Sequence, residues 1–265
     1  WVDPQLVACV TPMAQRSASK ALRRLTRGSR LPMPQAHTLR LFLWWKNGGK
    51  GRVDIDLSAA LYDANYQYMD VLSYYSLKSW GAVHSGDLVD GGEGAAEFID
   101  LDVGLLRERG VRWVVVAINS YTEQAFCDLP ECFAGWMARQ APGSGEVFEP
   151  ATVADRIDLA ADSTIALPMV LDLETLQLVW ADIALTRYPG WNNVHNNLRG
   201  VGLMLRALTK RAWPDLHTLF ALHAKARGEL VGSAQAADVV FALDGQPGPQ
   251  HITPFDLDRI RADFL

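Results

Sequence analysis

The chain has little cysteine and no long apolar run, and both absences narrow what it can be. Cys9, Cys127 and Cys132 are the only cysteines in 265 residues. Three thiols cannot form a disulfide framework. Cys127 and Cys132 flank Pro130, with no second pair to complete a zinc site. Small buried thiols in a reducing compartment, the cytoplasm, are the expectation. No stretch is long and apolar enough for a transmembrane helix, so no membrane partner is expected. No signal peptide is visible. The first residue is Trp1 rather than Met, which points to a larger parent polypeptide or assembly with protein partners.

Chemical signatures are equally sparse. There is no Gly-x-Ser-x-Gly elbow, no phosphate-binding Gly-Lys-Ser/Thr and no dinucleotide fingerprint. His217 and His223 lie six apart, about 600° around a helix, so a shared zinc ion is not expected. The Asn-rich stretch from Trp191 to Asn197 reads as a helix cap. A net charge of −5 leaves no general footprint for nucleic acid. Six bases without an acid do occur between Arg16 and Arg30. Residues 1–35 therefore read as a basic N-terminal arm or linker, and any nucleic-acid contact would come through residues 16–30.

What is present begins with strands. Leu39–Trp45 is an apolar run ended by the turn cluster Lys46-Asn47-Gly48-Gly49-Lys50. Val53–Tyr62 alternates apolar residues with Asp54, Asp56 and Ser58, the period-2 pattern of a half-buried strand. Further strands are expected at 68–77, 82–84, 111–119, 147–148, 157–159, 165–172 and 177–185. Phe133–Arg139 fits a strand or one helical turn, and Val103–Arg109 a brief helix closed by Gly110. Many short strands with one short helix predict a two-sheet β-sandwich over residues 36–188. After Pro189-Gly190 the apolar spacing becomes helical. Helices are expected over 196–209 and 215–227, and a last one runs to about 264 with Thr253 as N-cap. Residues 189–265 thus read as an α-helical extension.

One region is crowded with charge of a single sign. From Asp54 to Glu97 there are eight carboxylates and only Lys78 to oppose them. Carboxylates that close repel one another unless a cation sits among them. On a strand Asp54 and Asp56 share a side, about 6.5–7 Å apart, and can converge on one ion. The segment Gly86–Glu97 has four glycines and could fold its own oxygens toward that ion. Hard oxygen donors on a Gly-rich turn suit Ca²⁺, which takes 6–8 of them, although the spacing is not that of an EF-hand. The alternative is that Asp54 and Asp56 form the solvent face of an amphipathic strand.

Asp54-Ile55-Asp56-Leu57-Ser58-Ala59-Ala60, followed by His84-Ser85-Gly86-Asp87-Leu88-Val89-Asp90-Gly91-Gly92-Glu93-Gly94-Ala95-Ala96-Glu97, resembles the paired motifs of the TerD-like domain of bacterial tellurium-resistance and stress-response proteins. Asp63, Ser76–Ser79 and Glu97–Leu101 fall in matching order, and the resemblance spans roughly residues 39–185. It implies a β-sandwich that binds Ca²⁺ through these acidic segments. The implied ligands are Asp54, Asp56, Asp87 and Glu97 at matching positions, with Asp90 and Glu93 between them. Three departures stand out. Leu88 follows Asp87 directly where the family has asparagine, Ala95-Ala96 replaces a pair of aspartates, and the glycine-rich ending is missing. The ion count implied is one or none.

Three functions follow. The first is a non-catalytic, calcium-binding scaffold or sensor in a stress response. The second is a metal-free protein-interaction module. The third is a metal-dependent hydrolase using Asp87 and Glu93 on a bound water.

Overall fold

A computed structural model describes residues 1–13, 24–49, 51–139, 153–185, 194–210, 212–245 and 248–265. Among these, two six-stranded antiparallel sheets form a β-sandwich. The first sheet runs in the order β1 (Arg30–Pro32), β12 (Gln177–Ala184), β11 (Ile165–Asp172), β8 (Trp113–Ser120), β3 (Ile55–Tyr62) and β4 (Tyr68–Leu72). The second runs β10 (Val153–Asp158), β9 (Glu131–Arg139), β2 (Thr38–Lys46), β7 (Ala95–Asp102), β6 (Ala82–His84) and β5 (Lys78–Ser79). A short helix, α1 (Val103–Glu108), begins where the Asp102 carboxylate accepts the Leu105 amide at 2.9 Å, an N-cap.

Alternation builds the core. Leu39, Leu41, Leu43 and Trp45 of β2 share one buried cluster with Ile55, Leu57, Ala59 and Leu61 of β3. Each buried leucine of this kind contributes roughly 1.5–3 kcal/mol. The other face of β3 is also buried, so the half-buried reading of this strand is corrected: all eight of its residues are covered. At the Ala60–Tyr62 end the cover is α2 (Leu198–Lys210). Its Val201, Leu205 and Leu208 lie at helical spacing and pack on Ala60, Tyr62, Trp113 and Val115 of the first sheet. Tyr62 Oη donates to the Leu198 carbonyl at 3.1 Å and fixes where the helix starts.

The helical extension continues with α3 (Leu216–Arg227), the parallel pair β13 (Val240–Phe241) and β14 (His251–Ile252), and α4 (Leu257–Phe264). Asp215 caps α3 through the Thr218 amide at 2.8 Å. Phe220 stacks on Phe241 at 4.3 Å, and Phe264 meets both edge-on. His223 Nε2 lies 3.0 Å from the Phe264 carbonyl oxygen, which occupies that ring structurally. The expected N-cap at Thr253 is displaced. The cap position moves three residues on to Asp256, whose carboxylate turns back to accept the Thr253 amide and hydroxyl at 2.7 and 2.9 Å.

Other expectations resolve similarly. Phe133–Arg139 belongs to a full strand, held on β2 along its length. The strand expected over 68–77 stops at Leu72, where Ser73 and Ser76 close a turn. Part of the arm is sandwich: Arg30–Pro32 pairs with β12, and Arg27 donates to the carbonyls of Ala181 and Asp182. Before it, residues 4–8 form a 3-10 turn with Leu6 fully buried, and Asp3 and Thr11 bond to the backbone of Phe241 and Pro214. Residues 14–23, with three of the six bases of the basic run, and the Val147-Phe148 strand lie outside the described residues.

Candidate metal centre

Three of the six predicted ligands converge. One carboxylate oxygen each of Asp54, Asp56 and Asp87 lies within 4.8 Å of the others. Two come from consecutive like-facing positions at the start of β3, and the third from the loop after β6. Asp54 and Asp56 are each only 4% exposed, so neither is the solvent face of a strand, whereas Asp87 stands at the surface.

The backbone around them is tightly held. The Asp54 amide donates to Thr122 Oγ1 at 3.1 Å, and its carbonyl accepts the Tyr121 amide at 2.9 Å. Trp45 Nε1 donates to the Val53 carbonyl at 2.9 Å. Asn119 sits opposite Asp56 across the β3–β8 ladder. Arg52, half exposed, brings its guanidinium 3.5 Å from Asp54 Oδ2.

Electrostatically the trio is under-compensated. Burial, reinforced by Asp54 and Asp87, pushes the Asp56 carboxyl up to about 7. Burial and then Asp87 raise Asp54, with Arg52 opposing. Asp56 Oδ2 and Asn119 Nδ2 are buried and have no hydrogen-bond partner among the described residues. A buried acceptor left unpaired is costly, roughly 1–3 kcal/mol, and is rare in native proteins. An orphaned carboxylate oxygen beside two more carboxylates is a donor set that suits a hard cation such as Ca²⁺.

The other three predicted residues sit elsewhere. Glu97 points into the sandwich and is fully buried. Its Oε2 accepts the Leu57 amide at 2.9 Å and its Oε1 the Leu88 amide at 3.1 Å. Burial outweighs those two bonds, and with Asp56 and Asp87 nearby it pushes Glu97 up to about 8. Asp90 accepts from Asn47 Nδ2 at 2.7 Å, and Glu93 is exposed. The Ala95 and Ala96 positions pair with Trp45 and Trp44 of β2. There an added Cβ on Gly94 would come within 2.3 Å of the Trp44 ring. This stretch of glycine and alanine is shaped by two tryptophans.

His84 belongs to the same structure. Its Nε2 lies 2.9 Å from the Leu57 carbonyl and its Nδ1 accepts the Gly86 amide at 3.0 Å. Those partners place the proton on Nε2, and burial holds the ring below its ordinary pKa. Glu97 Oε2 is 3.7 Å away, and burial disfavours the charged form of both side chains. The sequence patterns did not single out His84, Arg52, Asn119 or Thr122 as neighbours of the acidic residues. Only Arg52, next to the motif, carried a signal in its charge.

A two-sheet antiparallel β-sandwich with a carboxylate trio at one rim, two of its members buried, is therefore the class of protein that fold and site define. Among the solved structures similar to it are two of value only for the fold. One is a homologue of the telluride resistance protein TerD, SCO6318 from Streptomyces coelicolor A3(2), with 14% identity over 59% of this chain and 94% of that one, at a TM-score of 0.46. The other is SAV2460, a protein of unknown function, with 19% identity over 57% and 94% of the two chains and a TM-score of 0.43. At that identity and overlap the likenesses carry nothing about ligands or activity. No family model and no curated protein matches the sequence.

Proposed function

We propose that this protein is a TerD-like, non-catalytic Ca²⁺-binding module, acting in the cytoplasm as a scaffold or sensor of a bacterial stress response and docking on a protein partner. The observation that carries the metal is the convergence of Asp54, Asp56 and Asp87 around a buried, partnerless carboxylate oxygen. Those three residues would hold the ion. Its charge would offset their repulsion and tie the surface loop bearing Asp87 to β3. The stress-response role rests on the sequence motifs alone.

Calorimetric titration with Ca²⁺, and melting with and without it, test the proposal. Heat and a higher melting temperature for the wild type, both lost in Asp56→Asn, are expected. No heat and no shift in the wild type would sink it.

A metal-free interaction module is favoured by one specific observation. Glu97, expected as a ligand, spends both oxygens on backbone amides. That reading predicts a melting temperature indifferent to Ca²⁺.

A further inference from the structure

We infer that the ion held by Asp54, Asp56 and Asp87 is a bridge: it captures a carboxylate of an acidic, apolar-flanked segment of a partner protein, with Arg52 taking that carboxylate's second oxygen. This rests on the metal reading above. The partner chemistry follows from what the site leaves unfilled.

The first argument is coordination. Ca²⁺ takes 6–8 oxygens, and three carboxylates binding through one or two oxygens each supply about three to six, which leaves the shell incomplete unless all three chelate. The neighbouring carboxylates are spoken for: Glu97 by the amides of Leu57 and Leu88, and Asp90 by Asn47. Ala95 and Ala96 offer none. The remaining positions must come from outside the trio, on the side where Asp87 reaches the surface.

The second argument is charge. Arg52 pairs with Asp54 at 3.5 Å and is half exposed. A cation on Asp54 competes directly with that pairing and releases the guanidinium beside the ion. A metal ion and an adjacent guanidinium together form a receptor for a carboxylate, because each oxygen meets its own positive partner. The match is to an anion, even though the loop itself is acidic, since the contact is made at the metal.

The third argument is the rim. Leu88 and Val89, directly after Asp87, are 46% and 43% exposed, and Tyr121, beside the residues that anchor Asp54, is 56% exposed. Consecutive exposed aliphatics on a loop tip are a cost to the isolated protein and a feature of contact surfaces. Metal-bridged carboxylate in the centre with apolar contacts around it is the anatomy of a protein interface with a polar anchor.

The experiment loads the full chain with Tb³⁺ in place of Ca²⁺. Trp45, whose Nε1 holds the Val53 carbonyl next to Asp54, serves as the sensitiser of the emission. Lifetimes in water and heavy water count the waters bound to the metal, and roughly two to four are expected. The acetylated, amidated tripeptide Leu-Asp-Leu is then added, with Leu-Asn-Leu as control. The aspartyl peptide should remove about one water and the control none. Arg52→Gln, which removes the competitor for Asp54, should bind Ca²⁺ at least as tightly as the wild type, the double variant Leu88→Ser, Val89→Ser should bind it as the wild type does, and each should weaken the peptide about tenfold, the scale of one charged hydrogen bond or one apolar contact patch. Metal binding with an unchanged water count in both peptides overturns the bridge and leaves the metal reading standing. Water loss with inorganic phosphate but not with the aspartyl peptide overturns the choice of a protein carboxylate. Absence of any Tb³⁺ or Ca²⁺ binding overturns the metal reading and the bridge with it.

Discussion

Glu97 of β7 accepts the backbone amide of Leu57 in β3 at 2.9 Å, so a side chain of the second sheet closes the open edge of the first. Strand β4 pairs with β3 only from Ala59 onward, which leaves the Leu57 peptide without a strand partner on that side. His84 takes the Leu57 carbonyl and Glu97 takes the amide. The same Glu97 accepts from Leu88 in the loop that carries Asp87. One buried carboxyl thus sets the distance between the two halves of the acidic site.

Replacing Glu97 by alanine strands the Leu57 and Leu88 amides and leaves a cavity. A loss of about 2–4 kcal/mol is expected. Chemical denaturation would register it as a lower midpoint with an unchanged slope. Ca²⁺ affinity should fall as well, although Glu97 is not in the trio, because Asp87 loses its tether.

In chelator, stability should decline as pH rises from about 4 to about 8. The folded protein holds Asp56 near about 7 and Glu97 near about 8, both above their unfolded values, so it binds more protons than the unfolded chain across that window. Fewer protons on the unfolded state means that unfolding free energy falls with pH there. Saturating Ca²⁺ should flatten the decline, since ligation favours the ionised carboxylates. Melting temperatures across this range, with EGTA and with Ca²⁺, check both halves.

Asp56→Asn should leave the metal-free protein at least as stable as the wild type at pH 8, because the substitution removes a buried, unpaired charge. It should also abolish the gain from Ca²⁺, which for the wild type amounts to about 2.7 kcal/mol at a hundredfold excess over Kd. Thermal shifts of the two proteins side by side make the comparison.

Gly91 and Gly86 are in one loop but should respond differently to alanine. A Cβ at Gly91 would lie 2.4 Å from Trp45 Nε1, the group that holds the Val53 carbonyl next to Asp54. A loss of about 1–3 kcal/mol from overpacking and weaker Ca²⁺ binding are expected. At Gly86, φ is +110° and nothing lies within 4 Å, so only the backbone conformation resists, at about 1–3 kcal/mol and with Trp45 undisturbed. Tryptophan fluorescence should shift in the first variant and stay unchanged in the second.

Leu205→Ala tests whether α2 is integral to the sandwich. Leu205 is fully buried on the outer face of the first sheet, and truncation should cost about 2–5 kcal/mol in a single cooperative transition. Loss of helical signal before the sheet melts would instead mark the helix as a separate unit.

The sequence by itself determined the architecture, because period and composition are local. Alternation in Leu39–Trp45 and apolar spacing in Leu198–Leu208 each survive in the structure as strand and helix. It also picked out the chain segments of the acidic site, since eight carboxylates in one stretch are visible without coordinates. Burial and partners needed the tertiary structure. The alternation of Val53–Tyr62 reads as half-exposed, and α2, more than a hundred residues away, covers its Ala60 and Tyr62 end. Asp54, Asp56, Asp87 and Glu97 look equivalent as side chains in a motif. The fold separates them: strand direction turns Asp54 and Asp56 outward toward the loop carrying Asp87, while the opposite pleat turns Glu97 inward to an unpaired amide. Which carboxylates can meet one ion is set by pleat and by the ends of neighbouring strands, and neither is written in any short stretch of residues.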